Sequence, residues 1–421
     1  MSAVNRVDDG RLDQSEDQAM HRIAVLGLGR VGKLAAELLV ESGFDVVGVD
    51  QHLPSDVGFE TVRSDLSVAD LATAELGAPD LLTADSATDL SDVAGVASDT
   101  TASPATGPSE TPDRGGGGDL RSVLEGVDAV LSCLPYRLNA AVANMAHGLG
   151  IHYFDLTEDV PTTNKIIELA TTATAVMAPQ CGLAPGFVGI VAADLIESLD
   201  TCRSVKLRVG ALPQNPDGML GYSFNWSPAG VVNEYLNDCE VIENGERKLV
   251  SSMEWHEPVY LHGTKLEAFT TSGGLGTMCD TYLGRVDNVD YKTLRYPGHV
   301  DLMNFFFHEL LMRDRREMAE EILTSAKPPV SDDVVYVHVS AEGTKNDQLR
   351  RLEFVHRYLP RALAGAERTA IAWTTAGSVV AVIEMVRAGK LPARGFLKQE
   401  DIPFDDFIST RTGALFVDCQ Q

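Results

Sequence analysis

Three glycines near the N-terminus have the spacing of a loop that binds phosphate groups. The pattern is G-x-G-x-x-G, formed by Gly27, Gly29 and Gly32, with Arg30 and Val31 between the last two glycines. It follows an apolar run and opens a helical pattern, and Asp50 ends the next apolar run. Such glycines allow a tight turn, close approach to a pyrophosphate and packing of helix on strand, while the acid binds a ribose diol. We predict a dinucleotide site, with Asp50 favouring NAD over NADP because it would repel a 2′-phosphate. A tight turn without a ligand is the alternative.

Two later apolar runs end in residues that could border a ligand. Cys133, Leu134 and Pro135 end the run that begins at residue 128, and Asp155 ends the run at 152–155. Ligands of open α/β sheets bind at the carboxyl ends of strands, so we expect the first group to border the ribose and nicotinamide. Asp155 is expected at the same edge, as a catalytic group or as an exposed loop acid. Cys133 is interpreted as a small core residue rather than as a nucleophile.

Alternating strand and helix patterns position these residues. Apolar runs predict buried strands at 21–26, 45–50, 128–134, 152–155 and 175–178, with a weaker strand at 61–65. Helical patterns follow at 139–149, 163–171 and 186–198, as well as directly after the glycine loop. Strands that are apolar throughout and joined by helices predict a parallel sheet covered on both faces. The expected fold class is therefore α/β, with a doubly wound Rossmann sheet.

Composition predicts a tail, a domain and an insertion in the N-terminal half of the chain. Residues 1–20 contain acids and no apolar stretch, and are expected to be a disordered tail. Residues 21–199 are expected to form the cofactor domain. Within it, residues 78–118 are rich in Ser, Thr, Ala, Asp and Pro and end in four glycines, which predicts a flexible acidic insertion.

The pattern changes after residue 200. Residues 200–370 contain strands that alternate in polarity and turn-rich stretches, which predict a second domain of the α+β type. Within it, residues 300–323 are expected to form one long helix. Residues 371–389 are expected to be the end of a strand followed by a helix.

Charge and composition exclude several classes of protein. The chain has 34 basic and 61 acidic residues and a formal net charge of −27, so it lacks the clustered cations that grip nucleic acid or an anionic membrane. No run of about 18 apolar residues predicts a membrane span, and no signal sequence is recognisable. The six cysteines include no C-x-x-C pair, and the acids and histidines lack the spacing of metal ligands. We expect a cytoplasmic protein without a metal.

Six stretches together resemble the saccharopine dehydrogenase family, and most closely its lysine 6-dehydrogenase branch. They are GLGRVG at 27–32, SCLPY at 132–136, FDLTED at 154–159, CGLAPGF at 181–187, FTTSGG at 269–274 and KTLRYPGH at 292–299. Their order fits over about residues 21–410, with 78–118 outside. The last stretch is far more specific than the first. Ala184 stands where saccharopine-forming members tend to have Asp, which favours the lysine branch.

The resemblance implies an architecture and an activity. A catalytic and dimerisation domain would be inserted into the Rossmann domain, residues 371–421 would return to the cofactor domain, and the protein would be a homodimer. The activity would be NAD(P)-dependent oxidation of a CH–NH2 or CH–NH bond of an amino acid. In the lysine branch, L-lysine becomes 2-aminoadipate 6-semialdehyde and ammonia, a step of lysine catabolism.

This chemistry requires a base. A hydride leaves carbon only when the nitrogen lone pair is available, and a lysine-type ammonium has a pKa of about 10.4. His299 is the first candidate because imidazole titrates near working pH, although a residue that starts a helix and bonds to the backbone is the alternative. Asp155 and Glu158 are the other candidates, as base or as ammonium binder.

The substrate also needs binding groups. Arg295 could bind an α-carboxylate through two hydrogen bonds, or it could pair with a neighbouring acid. The other expected substrate-binding residues lie in two turn-rich stretches and are Tyr222, Asn225, Trp226, Thr271 and Ser272. The first three would wall an apolar slot, with core packing as the alternative for Trp226. The hydroxyls of Thr271 and Ser272 would bind a carboxylate; alternatively, the two residues form a plain turn.

Two other functions stay open. A saccharopine dehydrogenase or reductase, or a carboxynorspermidine-type reductase, would act on a secondary amine. A non-catalytic, NAD-sensing regulatory protein would resemble the NAD-binding domains that gate potassium transporters. Those domains are much shorter and lack a region like 200–370, which counts against the second function.

Overall fold

The computed structural model describes residues 20–64, 66 and 120–418. The expected tail at 1–20, of which Met20 alone is described, and the expected insertion at 78–118 lie outside these residues. Met20 itself is buried in the core of the first sheet.

A parallel sheet carries the N-terminal half of the chain. Its first six strands are β1 (Arg22–Leu26), β2 (Asp45–Asp50), β3 (Glu60–Arg63), β4 (Ala129–Ser132), β5 (His152–Asp155) and β6 (Val176–Ala178). They lie in the order β6-β5-β4-β1-β2-β3, and each adjacent pair is parallel. The chain reverses its direction of winding between β1 and β4, which opens a crevice at the carboxyl ends of these strands. The predicted doubly wound α/β sheet is confirmed.

Helices cover both faces of this sheet. They are α1 (Arg30–Glu41), α2 (Leu120–Leu124), α3 (Tyr136–Leu149), α4 (Val160–Ala170) and α5 (Phe187–Glu197). Helix α1 begins directly after Gly29 and buries Leu34 and Leu38. Asp159 is the N-cap residue of helix α4, because its side chain accepts a 3.0 Å hydrogen bond from the amide of Thr162.

A mixed sheet forms the second half. Its strands are β7 (Thr201–Pro213), β8 (Cys239–Glu243), β9 (Glu246–Val250), β10 (Glu257–Leu261), β11 (Thr264–Thr270), β12 (Asn288–Arg295), β13 (Asp333–Lys345) and β14 (Gln348–Tyr358). The order is β10-β11-β12-β7-β13-β14, with β8 paired to β12 and β9. Strands β7 and β12 are parallel and the other neighbours are antiparallel. Helices α6 (Pro228–Leu236) and α7 (Met278–Tyr282) belong to this half.

The long helix expected at 300–323 is interrupted, so this prediction is wrong. The segment consists of α8 (His299–Asn304), a π-helical turn at Phe305–Glu309, a 3-10 turn at Met312–Asp314 and α9 (Arg316–Ala326). Leu311 has a φ of 56°, a left-handed conformation that ends the helical path. Apolar residues recur through the segment, but Leu310 and Leu311 are exposed rather than buried.

The C-terminal segment joins the first sheet. After the hairpin of β15 (Arg361–Leu363) and β16 (Ala366–Arg368) come α10 (Ala370–Arg387), β17 (Gly395–Phe396) and α11 (Phe404–Ile408). Strand β17 pairs in parallel with β6 and becomes the seventh strand. Residues 371–389 therefore contain no strand end, contrary to expectation.

Helix α10 contacts both halves of the chain. The carboxylate of Asp333 in β13 caps it, accepting hydrogen bonds of 2.6 Å from Ala370 and 2.9 Å from Ile371. Its apolar side chains pack with those of α1 and of β13 in one core. In the described part of the chain it is the one helix long and apolar enough to cross a membrane, but 78% of it is buried inside the protein, as in a core helix.

Candidate active site

The glycine loop has the geometry that its sequence predicts. Gly27 has a φ of 87°, and a β-carbon there would lie 3.0 Å from the carbonyl oxygen of Cys133. A β-carbon on Gly32 would lie 1.8 Å from the carbonyl oxygen of Gly27, so the helix can approach the strand only with glycine there. A β-carbon on Gly29 would have no neighbour within 4 Å. Gly29 thus leaves open space at the N-terminus of α1, where a pyrophosphate would bind.

Asp50 stands beside this loop at the end of β2. Its Oδ2 accepts a 2.6 Å hydrogen bond from the amide of Leu28, and its Oδ1 accepts one of 2.8 Å from the amide of His52. Each carboxylate oxygen can accept a second hydrogen bond, which is what a ribose diol would supply. Arg63, which is exposed, pairs in register with Asp50 on the neighbouring strand.

A cavity of about 510 Å³ extends from the glycine loop to the second sheet. This volume is typical of a small-molecule site. The first half of the chain contributes, among others, Gly29, Arg30, Val31, Gly32, Cys133, Leu134, Pro135, Glu158 and Ala184. The second half contributes, among others, Val209, Asn225, Trp226, Glu234, Tyr291, Thr293 and Arg295.

Glu158 is the acid that the loop after β5 brings to the cavity. Its Oε1 lies 2.9 Å from the point where a β-carbon on Gly230 would stand, so its carboxyl group rests against helix α6. Burial raises the pKa of Glu158 to about 7, and the negative charges of Asp159 and Asp155 add to this effect. A carboxyl group with such a pKa can both take and return a proton near neutral pH.

Glu234 is a second acid in the cavity, and the sequence analysis missed it. It follows Gly230 by one turn on α6 and is 5% exposed. Burial raises its pKa well above the usual range; the charge of Glu158 adds to the shift, and Arg295 opposes it. The one signal in the sequence is an acid within the apolar stretch GVVNEYL at 230–236.

Arg295 reaches the cavity from the end of β12 and is 3% exposed. Its Nε donates a 2.8 Å hydrogen bond to the hydroxyl of Tyr235, and its Nη1 donates one of 2.9 Å to the carbonyl of Leu294. The guanidinium lies 4.4 Å from the centre of the Tyr222 ring, as in a cation–π contact. These hydrogen-bond partners are neutral, and the acid near enough to act on the guanidinium by its charge is Glu234.

Comparison with known proteins shows which family this chain belongs to. The family described as Saccharopine dehydrogenase C-terminal domain matches residues 182–411, more than half of the 421-residue chain. The chain belongs to the saccharopine dehydrogenase family. The match includes α6, β12 and the residues of the cavity that they carry.

Individual members of the family are distant in sequence. The mitochondrial alpha-aminoadipic semialdehyde synthase of Mus musculus is 25% identical over 201 residues, which cover 44% of this chain and 21% of that protein. Saccharopine dehydrogenase [NADP(+), L-glutamate-forming] of Schizosaccharomyces pombe is 23% identical over 252 residues, or 57% of this chain and 55% of that protein. The chain therefore spans about half the length of the curated relatives it matches, or less.

A solved structure from the family has the same fold. It is the apo saccharopine dehydrogenase (L-Glu forming) of Saccharomyces cerevisiae, with a TM-score of 0.64. The similarity covers 92% of this chain and 97% of the yeast chain, at 15% sequence identity. At this identity the comparison establishes the shared fold alone.

His299, the first candidate for the base from the family stretch KTLRYPGH, does not reach the cavity. It is 1% exposed, and both ring nitrogens are bonded: Nε2 to the hydroxyl of Tyr235 and Nδ1 to the carbonyl of Leu220, each at 3.0 Å. Burial and the charge of Arg295 lower its pKa to about 3. A buried neutral imidazole cannot take the substrate's proton, and His299 has the position of the alternative, a bonded residue at a helix start.

Asp155 is also placed away from the cavity. Its carboxylate is fully buried and accepts hydrogen bonds of 2.6 Å from the Tyr153 hydroxyl and 2.9 Å each from the amides of Thr157 and Gln180. Burial raises its pKa to about 6. The residue joins the loops after β5 and β6, and is neither exposed nor part of the cavity lining.

The expected apolar slot is only partly formed by the expected residues. Asn225 and Trp226 line the cavity, whereas Tyr222 lies behind and accepts a 3.1 Å hydrogen bond from the Trp226 indole. The Asn225 amide is bonded at both ends to the backbone of Val330, at 2.8 and 3.1 Å. Asn225 therefore fixes the wall of the cavity.

The expected hydroxyl donors also stand behind the cavity wall. The hydroxyl of Thr271 bonds to that of Thr293 at 2.8 Å, and Thr293 is the one that lines the cavity. The amide of Ser272 donates a 3.0 Å hydrogen bond to the carbonyl of Glu234. Both residues support the site without facing it.

Cys133 lines the cavity beside Leu134 and Pro135, directly after the carboxyl end of β4. Burial raises the pKa of its thiol to about 12, and the charge of Asp155 adds to the shift. A thiol that holds its proton so strongly is a poor nucleophile. Over the described stretches, no group of three or more His, Cys, Asp or Glu side chains is arranged to hold a metal ion.

Proposed function

We propose that this chain is a nicotinamide-dependent dehydrogenase that oxidises the carbon–nitrogen bond of an amino acid. One observation carries the proposal: a single cavity contains the glycine loop at one end and Glu158, Glu234 and Arg295 at the other. A hydride acceptor bound at the loop would thus meet a substrate held by the charged groups. Membership of the family supports the same reaction class.

The residues at the glycine loop fit a dinucleotide. The open space at Gly29 admits a pyrophosphate, and the free amides at the start of α1 would bind its oxygen atoms. Asp50 would accept hydrogen bonds from the adenosine ribose, and its charge disfavours a 2′-phosphate. We therefore propose NAD, although the Schizosaccharomyces pombe relative is named for NADP(+). The bound nicotinamide would supply the acceptor for the substrate hydride.

Glu158 is the residue best placed to act as the base. It would take a proton from the substrate ammonium and free the nitrogen lone pair. The C–H bond then breaks as the hydride leaves, and a C=N bond forms. Water adds to that carbon, the C–N bond breaks, and ammonia is released. Because the pKa of Glu158 is about 7, its carboxylate form is available at neutral and alkaline pH.

The charges of the cavity favour a lysine-type substrate. Of the ionisable side chains that line it within the described ranges, the basic ones are Arg30, at the glycine loop, and Arg295; the acidic ones are Glu158 and Glu234. Away from the loop, the site therefore offers one cation and two carboxyl groups. L-Lysine carries a single carboxylate and two amino groups, which complements this set. Saccharopine carries more carboxylates than amines and would leave some of them without a cation. This balance supports L-lysine 6-dehydrogenase.

Isotope transfer tests this proposal directly. L-Lysine deuterated at carbon 6 is incubated with the protein and NAD, and the reduced cofactor and ammonia are quantified. We expect deuterium in the reduced cofactor and one ammonia for each cofactor reduced. Reduced cofactor without deuterium would move the reaction to another carbon, and its complete absence with lysine would reject the lysine assignment.

A further inference from the structure

Arg295 is held from behind by a chain of hydrogen bonds that ends on the backbone. The Nε of Arg295 bonds to the Tyr235 hydroxyl at 2.8 Å, that hydroxyl to His299 Nε2 at 3.0 Å, and His299 Nδ1 to the carbonyl of Leu220 at 3.0 Å. We call these four groups the Arg295 anchor.

Each group of the Arg295 anchor has a single possible role. The carbonyl of Leu220 can only accept, so Nδ1 of His299 carries the hydrogen and donates it. In a neutral imidazole, Nε2 then has a free lone pair, which accepts the hydrogen of the Tyr235 hydroxyl. The Tyr235 oxygen is left to accept from Arg295, whose nitrogens only donate. The chain of bonds therefore has one direction, and it fixes the tautomer of His299.

Packing leaves the anchor little freedom to move. Arg295, Tyr235 and His299 are 3%, 0% and 1% exposed. The imidazole stacks on the ring of Phe269 with an interplanar angle of 12°, and the ring of Tyr222 contacts it edge-on. A long side chain such as Arg would otherwise lose rotamer entropy when it binds a ligand.

The anchor holds the guanidinium without neutralising it. An acidic partner would also orient Arg295, but its charge would cancel much of the attraction for a ligand carboxylate. A tyrosine backed by a neutral histidine supplies the orientation with no opposing charge. The Nη2 atom makes a long hydrogen bond of 3.5 Å to the Tyr222 hydroxyl.

We propose that Tyr235 and His299 are positioning residues that aim Arg295 at the carboxylate of the substrate. This inference rests on the proposed function, because it takes Arg295 as the carboxylate-binding group. His299, the histidine of RYPGH, would then act by positioning Arg295 and not as the base.

A pair of tyrosine variants tests the anchor. Tyr235→Phe removes the hydroxyl and keeps the ring, and Tyr296→Phe is the matched control. The Tyr296 hydroxyl donates a 2.9 Å hydrogen bond to the carbonyl of Pro213, and Tyr296 follows Arg295 in the chain without belonging to the anchor. Each protein is assayed with L-lysine and with L-lysinamide, which lacks the carboxylate.

The two substrates distinguish a positioning role of Tyr235 from a purely structural one. With L-lysine, Tyr235→Phe lowers kcat/KM by about tenfold to a hundredfold, chiefly through KM, as for the loss of a hydrogen bond to a charged group. With L-lysinamide, Tyr235→Phe and the wild type differ by less than about twofold, because no carboxylate remains for Arg295 to bind. Equal losses on both substrates would overturn the proposal.

Variants at His299 add a rescue experiment. His299→Gln retains an acceptor for the Tyr235 hydroxyl, whereas His299→Leu does not. We expect the KM for L-lysine to rise more in the Leu variant than in the Gln variant. Identical effects of the two variants would contradict the anchor.

A readout without turnover distinguishes failure of the anchor from failure of the proposed function. Nitrogen NMR of the wild type should show His299 neutral, with hydrogen on Nδ1, at neutral and alkaline pH; the signal is identified by its loss in His299→Gln. Tyr235→Phe should shift the Nε2 signal. A charged ring, or hydrogen on Nε2, would refute the anchor even in an active enzyme. If no amine is oxidised but the NMR result holds, the anchor stands and the proposed reaction fails.

Discussion

The amide of Leu28 donates a 2.6 Å hydrogen bond to Oδ2 of Asp50. Leu28 lies between the first two glycines of the loop, so the carboxylate at the end of β2 also holds the loop in shape. The other oxygen of Asp50 is bonded to the amide of His52. The side chain that we propose selects the cofactor therefore also holds the loop in shape.

Replacement of Asp50 should affect both cofactor affinity and cofactor choice. Asp50→Asn removes the charge and leaves one acceptor oxygen, so one of the two amides loses its partner. We expect NADH to bind about tenfold more weakly and the preference for NAD over NADP to narrow, by fluorescence titration of NADH and NADPH. Asp45→Asn, at the exposed start of the same strand, is the control. An unchanged NAD-to-NADP ratio would mean that Asp50 does not select the cofactor.

Two glycine substitutions should separate ligand contact from packing. Gly29→Ala places a methyl group in open space, so the protein should fold with an unchanged Tm and bind NADH at least about tenfold more weakly. Gly32→Ala forces its methyl group against the carbonyl of Gly27, so the Tm should fall by several degrees. Thermal unfolding and NADH titration of both variants check this. Unchanged NADH affinity in Gly29→Ala would place the pyrophosphate elsewhere.

The pH dependence of turnover should follow Glu158. The base must be unprotonated, and its pKa is about 7, so kcat should fall tenfold per pH unit as the pH drops below that value. Glu158→Gln should lower kcat by about a hundredfold or more and abolish this dependence. Glu168→Gln, an exposed acid on the following helix, is the control. A wild-type profile retained in Glu158→Gln would assign the base to another residue.

The same acid should reduce the stability of the protein at alkaline pH. Burial raises the pKa of Glu158 from about 4.3 in the unfolded chain to about 7 in the folded one. The folded state thus binds the proton more tightly, and the free energy of unfolding decreases as pH rises through this interval. In the Glu158→Gln variant the free energy of unfolding should not show this decrease. Urea unfolding should find the variant more stable than the wild type above about pH 7 and similar below about pH 4. The opposite order would contradict the raised pKa.

Local patterns in the sequence were sufficient for the first sheet. Each strand is a short apolar run next to a helical pattern, and the roles of Gly27 and Gly32 depend only on contacts within one strand–loop–helix unit and its neighbour. The break at Leu311 was not predictable in this way, because apolar residues recur at helical spacing on both sides of it. The first residues of helix α10 were expected to end a strand, yet they belong to a helix whose apolar side chains pack in a core shared by both sheets.

The candidate site was harder to predict because it is assembled by tertiary contacts. Residue type suggested His299 as a base, but its contacts with Tyr235 and Leu220, which lie far from it in sequence, and the charge of Arg295 decide its protonation. An acid within the apolar stretch 230–236 does not by itself show that Glu234 lines the same cavity as Glu158. Glu158 could be found because it follows a strand whose carboxyl end could be located, and Arg295 because it belongs to the stretch KTLRYPGH.

Initial rates of the wild-type protein with L-lysine and with saccharopine, each with NAD and with NADP, at alkaline pH test the proposed reaction. We expect L-lysine with NAD to give the highest kcat/KM and ammonia to be released in proportion to cofactor reduced. Turnover of saccharopine without turnover of lysine would refute the lysine assignment, because a cavity with Glu158, Glu234 and a single substrate-side arginine should not prefer the substrate richer in carboxylates.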